Sequence, residues 1–176
     1  QESFQKAIRS MENGLNGLSS ILKKNEGNGA LKLELSTPGE KRLWFIADAF
    51  RKGWTMEEVF VSCKVDYWFL HQIKDIVDDE KIIQNSKLEQ IDANTLKSYK
   101  KKGFSDARIA DLLKVDEQSV REHRYKLNVH PVFKRVDSCA AEFDSTTNYL
   151  YSTYEEFNES EVSNNKKIVV LGSGPN

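Results

Sequence analysis

The chain has few cysteines, no strong excess of either charge and no long apolar run. Its two cysteines, Cys63 and Cys139, lack the Cys-x-x-Cys spacing of zinc and redox sites, which predicts reduced thiols in a cytoplasmic protein. A net charge of −1 argues against a dedicated nucleic-acid binder, since such proteins usually carry a basic excess. No run approaches the roughly 20 apolar residues that cross a bilayer, so we expect no membrane partner.

The last eleven residues carry the most informative pattern. Residues 168–171, Ile-Val-Val-Leu, predict a buried β-strand, and Gly172 and Gly174 follow it in a glycine loop. Nucleotide-binding α/β domains begin in this way, because glycines let backbone N–H groups approach a phosphate. The helix that should follow the loop is missing from the sequence. We therefore expect residues 168–171 to be a truncated β-strand. We also expect the sequence to be a segment of a longer protein.

Helix signals dominate the first three quarters of the chain. Residues 3–13 predict a short amphipathic helix capped by Ser3, and the Gly- and Asn-rich stretch 15–35 predicts a linker. A compact helical domain is expected over 36–128. Its last helices are expected at 93–101, where the signal is weaker, and at 106–113 and 117–126, where it is clear.

Capping motifs mark three helix starts within that domain. Thr37 with Glu40 and Thr55 with Glu58 form capping-box patterns, and Asp66 can cap a third helix. The apolar stripe of this third helix is expected to contain Phe69, Leu70, Ile73, Ile76 and Val77.

An internal repeat relates two parts of the helical domain. Residues 53–66 align with residues 103–116 at a constant offset of 50, and both copies contain a glycine, an aromatic residue, a hydroxyl cap and a Lys-Val-Asp turn. The pattern predicts an all-α fold of two tri-helical, helix-turn-helix-like units packed together. Matched positions should have matched roles: Val59 and Ile109 buried, Asp66 and Asp116 capping a third helix.

Extended segments flank the helices on the C-terminal side. Residues 132–136 and 149–154 alternate in polarity, which is typical of strands or extended arms, and 155–165 is a polar loop. Residues 129–165 are therefore expected to be an extended connector.

The helix-turn-helix pattern leaves DNA binding as an alternative function. Arg121, Arg124 and Lys126 lie on the expected last helix, but Glu117 and Glu122 share it and would repel phosphates. A structural tri-helical unit is the simpler interpretation.

Catalytic and metal-binding patterns are weak. Cys139 could act as a nucleophile if His123 or His130 lay beside it, but an inert thiol is the commoner case. The histidines, including His71, have no metal-ligand spacing with one another or with the cysteines. We therefore predict no catalytic and no metal-binding residue.

Four aromatic residues lie beside the main apolar stripes of their helices. A widened apolar sector means either deep burial or a contact with another chain. The candidate oligomer contact consists of Trp44, Phe45, Tyr67 and Trp68.

Several blocks resemble the large chain of carbamoyl phosphate synthases, in the same order. These are 47–51, 66–73, 103–110, 130–143, 149–156 and 168–176, of which 130–143 is the most specific. The resemblance implies two homologous ATP-grasp halves joined by a helical oligomerization domain. It places 1–14 at the end of the first half and 36–128 in the oligomerization domain. It makes 166–176 the start of the second half.

The resemblance also implies a function for the complete chain. That chain would be an ATP- and Mg²⁺-dependent ligase that makes carbamoyl phosphate from bicarbonate, glutamine-derived ammonia and two ATP, for arginine and pyrimidine synthesis. Its partners would be a separate glutaminase subunit and further copies of itself. Only Gly172, Gly174, Pro175 and Asn176 match the cofactor-binding glycine loop, and Ser173 stands where the family commonly has glycine. The segment itself is expected to be a non-catalytic spacer without its own cofactor.

Overall fold

The computed structural model describes residues 1–11, 13–23, 27–144 and 149–172. These residues form eight α-helices, one short 3-10 helix and two strands, which confirms an all-α fold with short extended flanks. The helices are α1 (Glu2–Ser10), α2 (Asn28–Ser36), α3 (Arg42–Arg51), α4 (Met56–Cys63), α5 (Tyr67–Gln84), α6 (Ala93–Lys101), α7 (Asp106–Leu113) and α8 (Glu117–Lys126). The 3-10 helix is Leu88–Gln90, and the strands are β1 (Val132–Arg135) and β2 (Leu150–Thr153).

The two predicted tri-helical units are present. The first consists of α3, α4 and α5, and the second of α6, α7 and α8. The long helix α5 packs on both α3 and α7, so it joins the units. One continuous apolar core runs through them and buries Ile46, Leu70, Ile76, Ile109 and Val120 completely. Removing this surface from water is the main stabilising contribution to such a fold.

The expected linker at 15–35 differs from the structure. Residues 28–36 form α2, and Leu18, Leu31 and Leu35 are completely buried in the core. Leu31 and Leu35 are four residues apart, so they share one face of α2 and pack against α3 and α4. Sequence analysis missed the four-residue spacing of these two leucines because the stretch is rich in Gly and Asn.

Two of the predicted helix starts are wrong. Thr37 follows α2 at its C-terminal end, where its Oγ1 donates to the carbonyl oxygen of Leu33 at 2.9 Å, and α3 begins only at Arg42. The first helix begins at Glu2, with Gln1 at the N-cap position, so Ser3 lies within it. In contrast, the Thr55–Glu58 capping box and the Asp66 cap are both formed as expected.

One expected core residue faces solvent. Phe69 is exposed, whereas Leu70, Ile73, Ile76 and Val77 of the same helix are buried. The buried positions follow the 3- and 4-residue spacing of one helix face, and Phe69 points about 100° away from Leu70. This exposure enlarges the aromatic surface at the start of α5.

The two predicted arms pair with each other. Strands β1 and β2 are antiparallel, with Val132 opposite Thr153 and Arg135 opposite Leu150. The expected strand at 168–171 is not formed: its four side chains are 79–91% exposed, and the structure gives them no regular secondary structure. A strand needs a partner to bond its backbone groups, and within the described residues only β1 and β2 pair. Among the same residues, no helix is long and apolar enough to cross a membrane.

Candidate functional site

Equivalent glycines form the turn that follows the first helix of each unit. Gly53 and Gly103 have φ angles of +86° and +94°, a region that side-chain-bearing residues avoid. The next amide closes the helix in the same way in both copies. Trp54 N donates to Ala49 O at 3.0 Å, and Phe104 N donates to Tyr99 O at 3.1 Å.

The remaining matched positions confirm the repeat. Asp66 Oδ1 accepts the amide of Trp68, and Asp116 Oδ1 accepts the amide of Ser119, each at 2.8 Å. Both middle helices have eight residues and end at a lysine in the left-handed conformation. Val59 and Ile109 are completely buried at equivalent positions of these helices.

A buried carboxylate joins the two units, and sequence analysis did not identify it. Glu80 of α5 is 2% exposed and lies between two arginines. Arg51 of the first unit approaches its Oε2 at 2.6 Å, and Arg108 of the second approaches its Oε1 at 2.5 Å. The position of Glu80 in the sequence could have indicated its burial. It lies three residues after Val77 and four after Ile76, on the apolar face of its helix.

The same network holds the segment before α2. Arg51 Nη1 binds Asp48 Oδ1 at 2.7 Å, and Asp48 Oδ2 accepts the amides of Ile21 and Leu22, each at 3.0 Å. Arg108 Nη1 donates to the hydroxyl of Ser19 at 3.0 Å. Residues 19–22 are therefore fixed by charge-assisted hydrogen bonds to both units.

A second buried cluster lies inside the second unit. Asp106 binds Lys100 Nζ at 2.8 Å and Arg124 Nη2 at 3.0 Å. Burial alone would raise the pKa of Asp106, but these two cations outweigh it and hold the pKa below its ordinary value. For Lys100 the balance is the opposite: burial lowers its pKa more than Asp106 raises it. We regard Arg124 as the firmer partner, because three of its contacts reach the carboxylate.

The four candidate contact aromatics divide into two pairs. Trp44 is 1% exposed, and its Nε1 donates to the carbonyl oxygen of Gly17 at 2.9 Å, while Phe45 is also buried. These two rings lie in the core and leave no surface for another chain, so their assignment as contact residues is corrected. Tyr67 is partly exposed and Trp68 is 63% exposed.

An aromatic patch therefore remains at the start of α5. We define it as Tyr67, Trp68 and Phe69. The rings of Trp68 and Phe69 meet edge to face with centroids 4.9 Å apart, and Tyr67 stacks on Phe60 at 4.3 Å. Exposed contiguous rings of this kind are typical of protein–protein contacts.

The predicted glycine loop is only partly described. Gly172 is exposed, and Gly174, Pro175 and Asn176 lie outside the described residues. The segment before Gly172 has no strand to position the loop.

The candidate catalytic groups are not assembled. His123 Nε2 is hydrogen-bonded to the carbonyl oxygen of Ile91 at 2.8 Å, and the ring of His130 lies 5.1 Å from that of Tyr125. The amide of Cys139 is held by Asp137 Oδ1 at 2.9 Å in a local turn. In the part of the chain that is described, no three His, Cys, Asp or Glu side chains cluster as metal ligands would.

Two of the three cations considered for DNA contact, Arg121 and Arg124, are engaged within the chain. Arg124 is buried against Asp106, and Arg121 pairs with Glu117 along α8 at 2.7 Å. A recognition helix must present free donors to a groove, which these two residues do not.

Comparisons with known proteins agree on one family. The family model for the carbamoyl-phosphate synthetase large chain, oligomerisation domain, matches residues 1–128, and so takes in α1 and α2. Relatives named carbamoyl phosphate synthase large chain are 52% identical in Neisseria meningitidis serogroup B, 52% in Pseudomonas syringae pv. tomato and 49% in Pasteurella multocida. Each similarity covers 100% of this chain but only 16–17% of the relative. None of these comparisons supports the DNA-binding alternative. The chain belongs to the family of carbamoyl-phosphate synthetase large chain oligomerisation domains.

Proposed function

We propose that these residues are the non-catalytic oligomerization and spacer segment of a carbamoyl phosphate synthase large chain. The observation that carries the proposal is the match of the oligomerisation-domain model to 1–128. The complete protein would make carbamoyl phosphate in the cytoplasm from bicarbonate, ammonia and two ATP with Mg²⁺. The ammonia would come from glutamine through a separate glutaminase subunit. Neither nucleic acid nor a membrane is a proposed partner.

The proposed domain limits keep those implied by the family resemblance, with one change that the packing supports. We keep 129–165 as the passage to the second ATP-grasp half and 166–176 as its beginning. The helical domain is proposed to start before residue 36, because Leu18, Leu31 and Leu35 are completely buried in its core. A segment that supplies core residues cannot be a free linker.

Self-association is proposed to use the aromatic patch, with a second copy of the large chain as its partner. Two features support this choice: the family is one of oligomerisation domains, and the patch exposes contiguous rings at the end of a helix fixed by the buried Glu80 network. A rigid exposed tryptophan loses little side-chain entropy on binding, so Trp68 is the expected energetic centre of the contact.

Sedimentation of variants tests this surface. Trp68→Ala should weaken self-association by about 2 kcal/mol, roughly thirtyfold, and leave the melting temperature nearly unchanged. Phe157→Ala is the matched control, since Phe157 is an exposed ring remote in sequence from the patch. Trp44→Ala should instead lower stability by about 3 to 5 kcal/mol, because it opens a core cavity. Association that is absent, or equally strong in Trp68→Ala and Phe157→Ala, contradicts the proposal.

The isolated chain is expected to be inactive. The candidate ATP-contact residues are confined to 172–176, and Gly172 lies at the end of an exposed segment rather than beside a sheet. Incubation with ATP, bicarbonate and ammonia should give no ADP above the blank. Turnover that depends on all three reactants would place a complete active site in these residues and contradict the spacer role.

A further inference from the structure

Helix α1 lies directly against the glycine turn of the second unit. A Cβ atom added to Gly103 would stand 2.9 Å from Glu2 Cα and 3.1 Å from Gln5 Cβ, closer than van der Waals contact allows. Gln5 Nε2 donates to the carbonyl oxygen of Lys102 at 2.9 Å, and Arg9 Nη1 donates to that of Gly103 at 2.6 Å. Gln5 is almost completely buried there. The turn at 102–103 therefore forms a docking site, which we call the α1 socket.

The equivalent turn of the first unit is not occupied in this way. A Cβ atom added to Gly53 would meet nothing within 4 Å. Both glycines have positive φ, so the backbone requirement is the same and only the close approach of a helix differs. The comparison of the two copies therefore separates two requirements at Gly103. The turn requires the positive φ, and the packing of α1 requires the absence of a Cβ atom.

The first turns of α1 also contact strand β2. Glu2 Oε2 accepts a hydrogen bond from the Thr153 hydroxyl at 3.1 Å, and Glu2 Oε1 pairs with Lys6 at 2.7 Å. Lys6 Nζ in turn donates to the carbonyl oxygen of Ser152. Thr153 is buried at this contact, although β2 is otherwise exposed. Helix α1 therefore lies between the second unit and the strand pair.

The second unit holds the connector at two further points. Lys100 Nζ lies 5.2 Å from the ring centroid of Tyr154, just after β2, and Arg124 Nη1 donates to the carbonyl oxygen of Val129 at 3.1 Å. Both cations also bind Asp106, so one buried cluster anchors the chain before β1 and after β2. These contacts do not involve α1. They hold the connector independently, so the experiment below measures only what α1 adds to them.

We propose that the α1 socket couples the segments on either side of the two tri-helical units. Helix α1, which precedes the two tri-helical units, is seated by Gly103 and holds β2, which follows them, through Glu2 and Lys6. Because β2 pairs with β1 along its length, a change in the seating of α1 reaches the whole strand pair. Coupling of this kind needs a contiguous set of contacts with a definite seated state, and Gly103 supplies that state.

The test compares two alanine substitutions in the complete polypeptide that carries these 176 residues. Gly103→Ala and Gly53→Ala introduce the same left-handed strain, but only Gly103→Ala collides with α1. Hydrogen exchange is followed by mass spectrometry in peptides covering 1–11 and 149–154. In Gly103→Ala, exchange should be about tenfold faster in both peptides than in Gly53→Ala, as expected when a docked element loses buried hydrogen bonds.

Two results would overturn the proposal. Faster exchange in 1–11 with unchanged exchange in 149–154 would show that α1 docks without holding β2. Equal exchange in the two glycine variants would show that there is no socket. Should Gly103→Ala fail to fold, Lys6→Met removes the contact of Lys6 with Ser152 without touching the turn and leaves only the contact of Glu2 with Thr153. Lys32→Met, at an exposed lysine of α2, is its control. Lys6→Met should then speed exchange in 149–154, and unchanged exchange there would also refute the coupling.

Discussion

Arg108 approaches Glu80 with two nitrogens, Nε at 2.9 Å and Nη2 at 2.5 Å, both directed at Oε1. Arg51 binds the other oxygen of the same carboxylate, so two arginines from different units share one acid. A buried carboxylate is tolerated only when its charge is paired and its oxygens are bonded, and both conditions are met here. The contact between the tri-helical units therefore combines a buried ionic cluster with the apolar core.

Replacing Glu80 with Gln should be strongly destabilising. The substitution keeps the shape of the side chain but takes the paired carboxylate from the buried Arg108 and leaves Arg51 with Asp48 alone, and breaking a buried ion pair in this way typically costs about 3 to 5 kcal/mol. Asp78→Asn, on the same helix but half exposed, is the control and should cost about 1 kcal/mol or less, since its pairs with Lys74 and Lys81 are solvated. Urea unfolding of both variants measures the difference. Equal costs would mean that the Glu80 network contributes no more than a surface pair.

Asp106 should stabilise the folded chain near neutral pH and lose this contribution at acid pH. Lys100 and Arg124 keep the pKa of Asp106 below its ordinary value of about 3.9 despite its burial. A carboxyl group with a depressed folded-state pKa stabilises the fold above its unfolded pKa, and this contribution is lost as pH falls through the folded pKa. The free energy of unfolding of the parent chain should therefore exceed that of Asp106→Asn by a constant amount between about pH 5 and 7.

The same difference should shrink below about pH 4, as the carboxyl group becomes protonated in the folded chain. Denaturant unfolding at pH 6 and pH 3 provides the measurement. Other acids that titrate in this range are present in both proteins, so they cancel in the comparison. A difference that stays constant down to pH 3, or grows there, would contradict the assigned role of Asp106.

Local chemistry made most helix boundaries predictable. The ends of α6, α7 and α8 coincide with the predicted 93–101, 106–113 and 117–126, because Asp92, Ser105 and Asp116 cap them with their own side chains. Thr37 had the same type of signal and failed, since its hydroxyl is used by the preceding helix. A capping motif identifies a helix boundary, but it cannot tell which of two neighbouring helices uses it.

The features that depend on distant residues were not predictable from pattern alone. Leu18 is 18 residues before the predicted domain start, yet it is completely buried in the core. Trp44 and Trp68 have similar sequence surroundings, but only Trp44 finds a buried acceptor, the carbonyl oxygen of Gly17. The burial of these side chains depends on which segments pack together in the folded chain. The apolar pattern of one helix does not contain that information.

The repeat predicts equal effects at its matched caps. Asp66→Ala and Asp116→Ala each remove the acceptor for one helix N-terminal amide, at the same 2.8 Å distance. Both should lower the melting temperature by about 2 to 6 °C, as expected for the loss of a cap in a domain of this size. Circular dichroism during heating measures the two melting temperatures. Glu89→Ala is the control: Glu89 is exposed and caps no helix, so this substitution should leave the melting temperature unchanged. Effects that differ severalfold between the two aspartates would show that the copies are not energetically equivalent.

Removal of the C-terminal tail should hardly change stability, whereas removal of α1 should change it greatly. The side chains of 168–171 are 79–91% exposed, so deleting 166–176 returns almost no apolar surface to water. The matched deletion at the other end, residues 1–10, removes the buried Ile8 from the apolar core, and with it the buried contacts of Gln5 with the second unit. We expect the first deletion to shift the thermal midpoint by less than about 2 °C and the second to lower it by more than about 5 °C. A large drop on deleting 166–176 would mean that the tail packs on the helical domain, and the boundary proposed at residue 166 would then have to move.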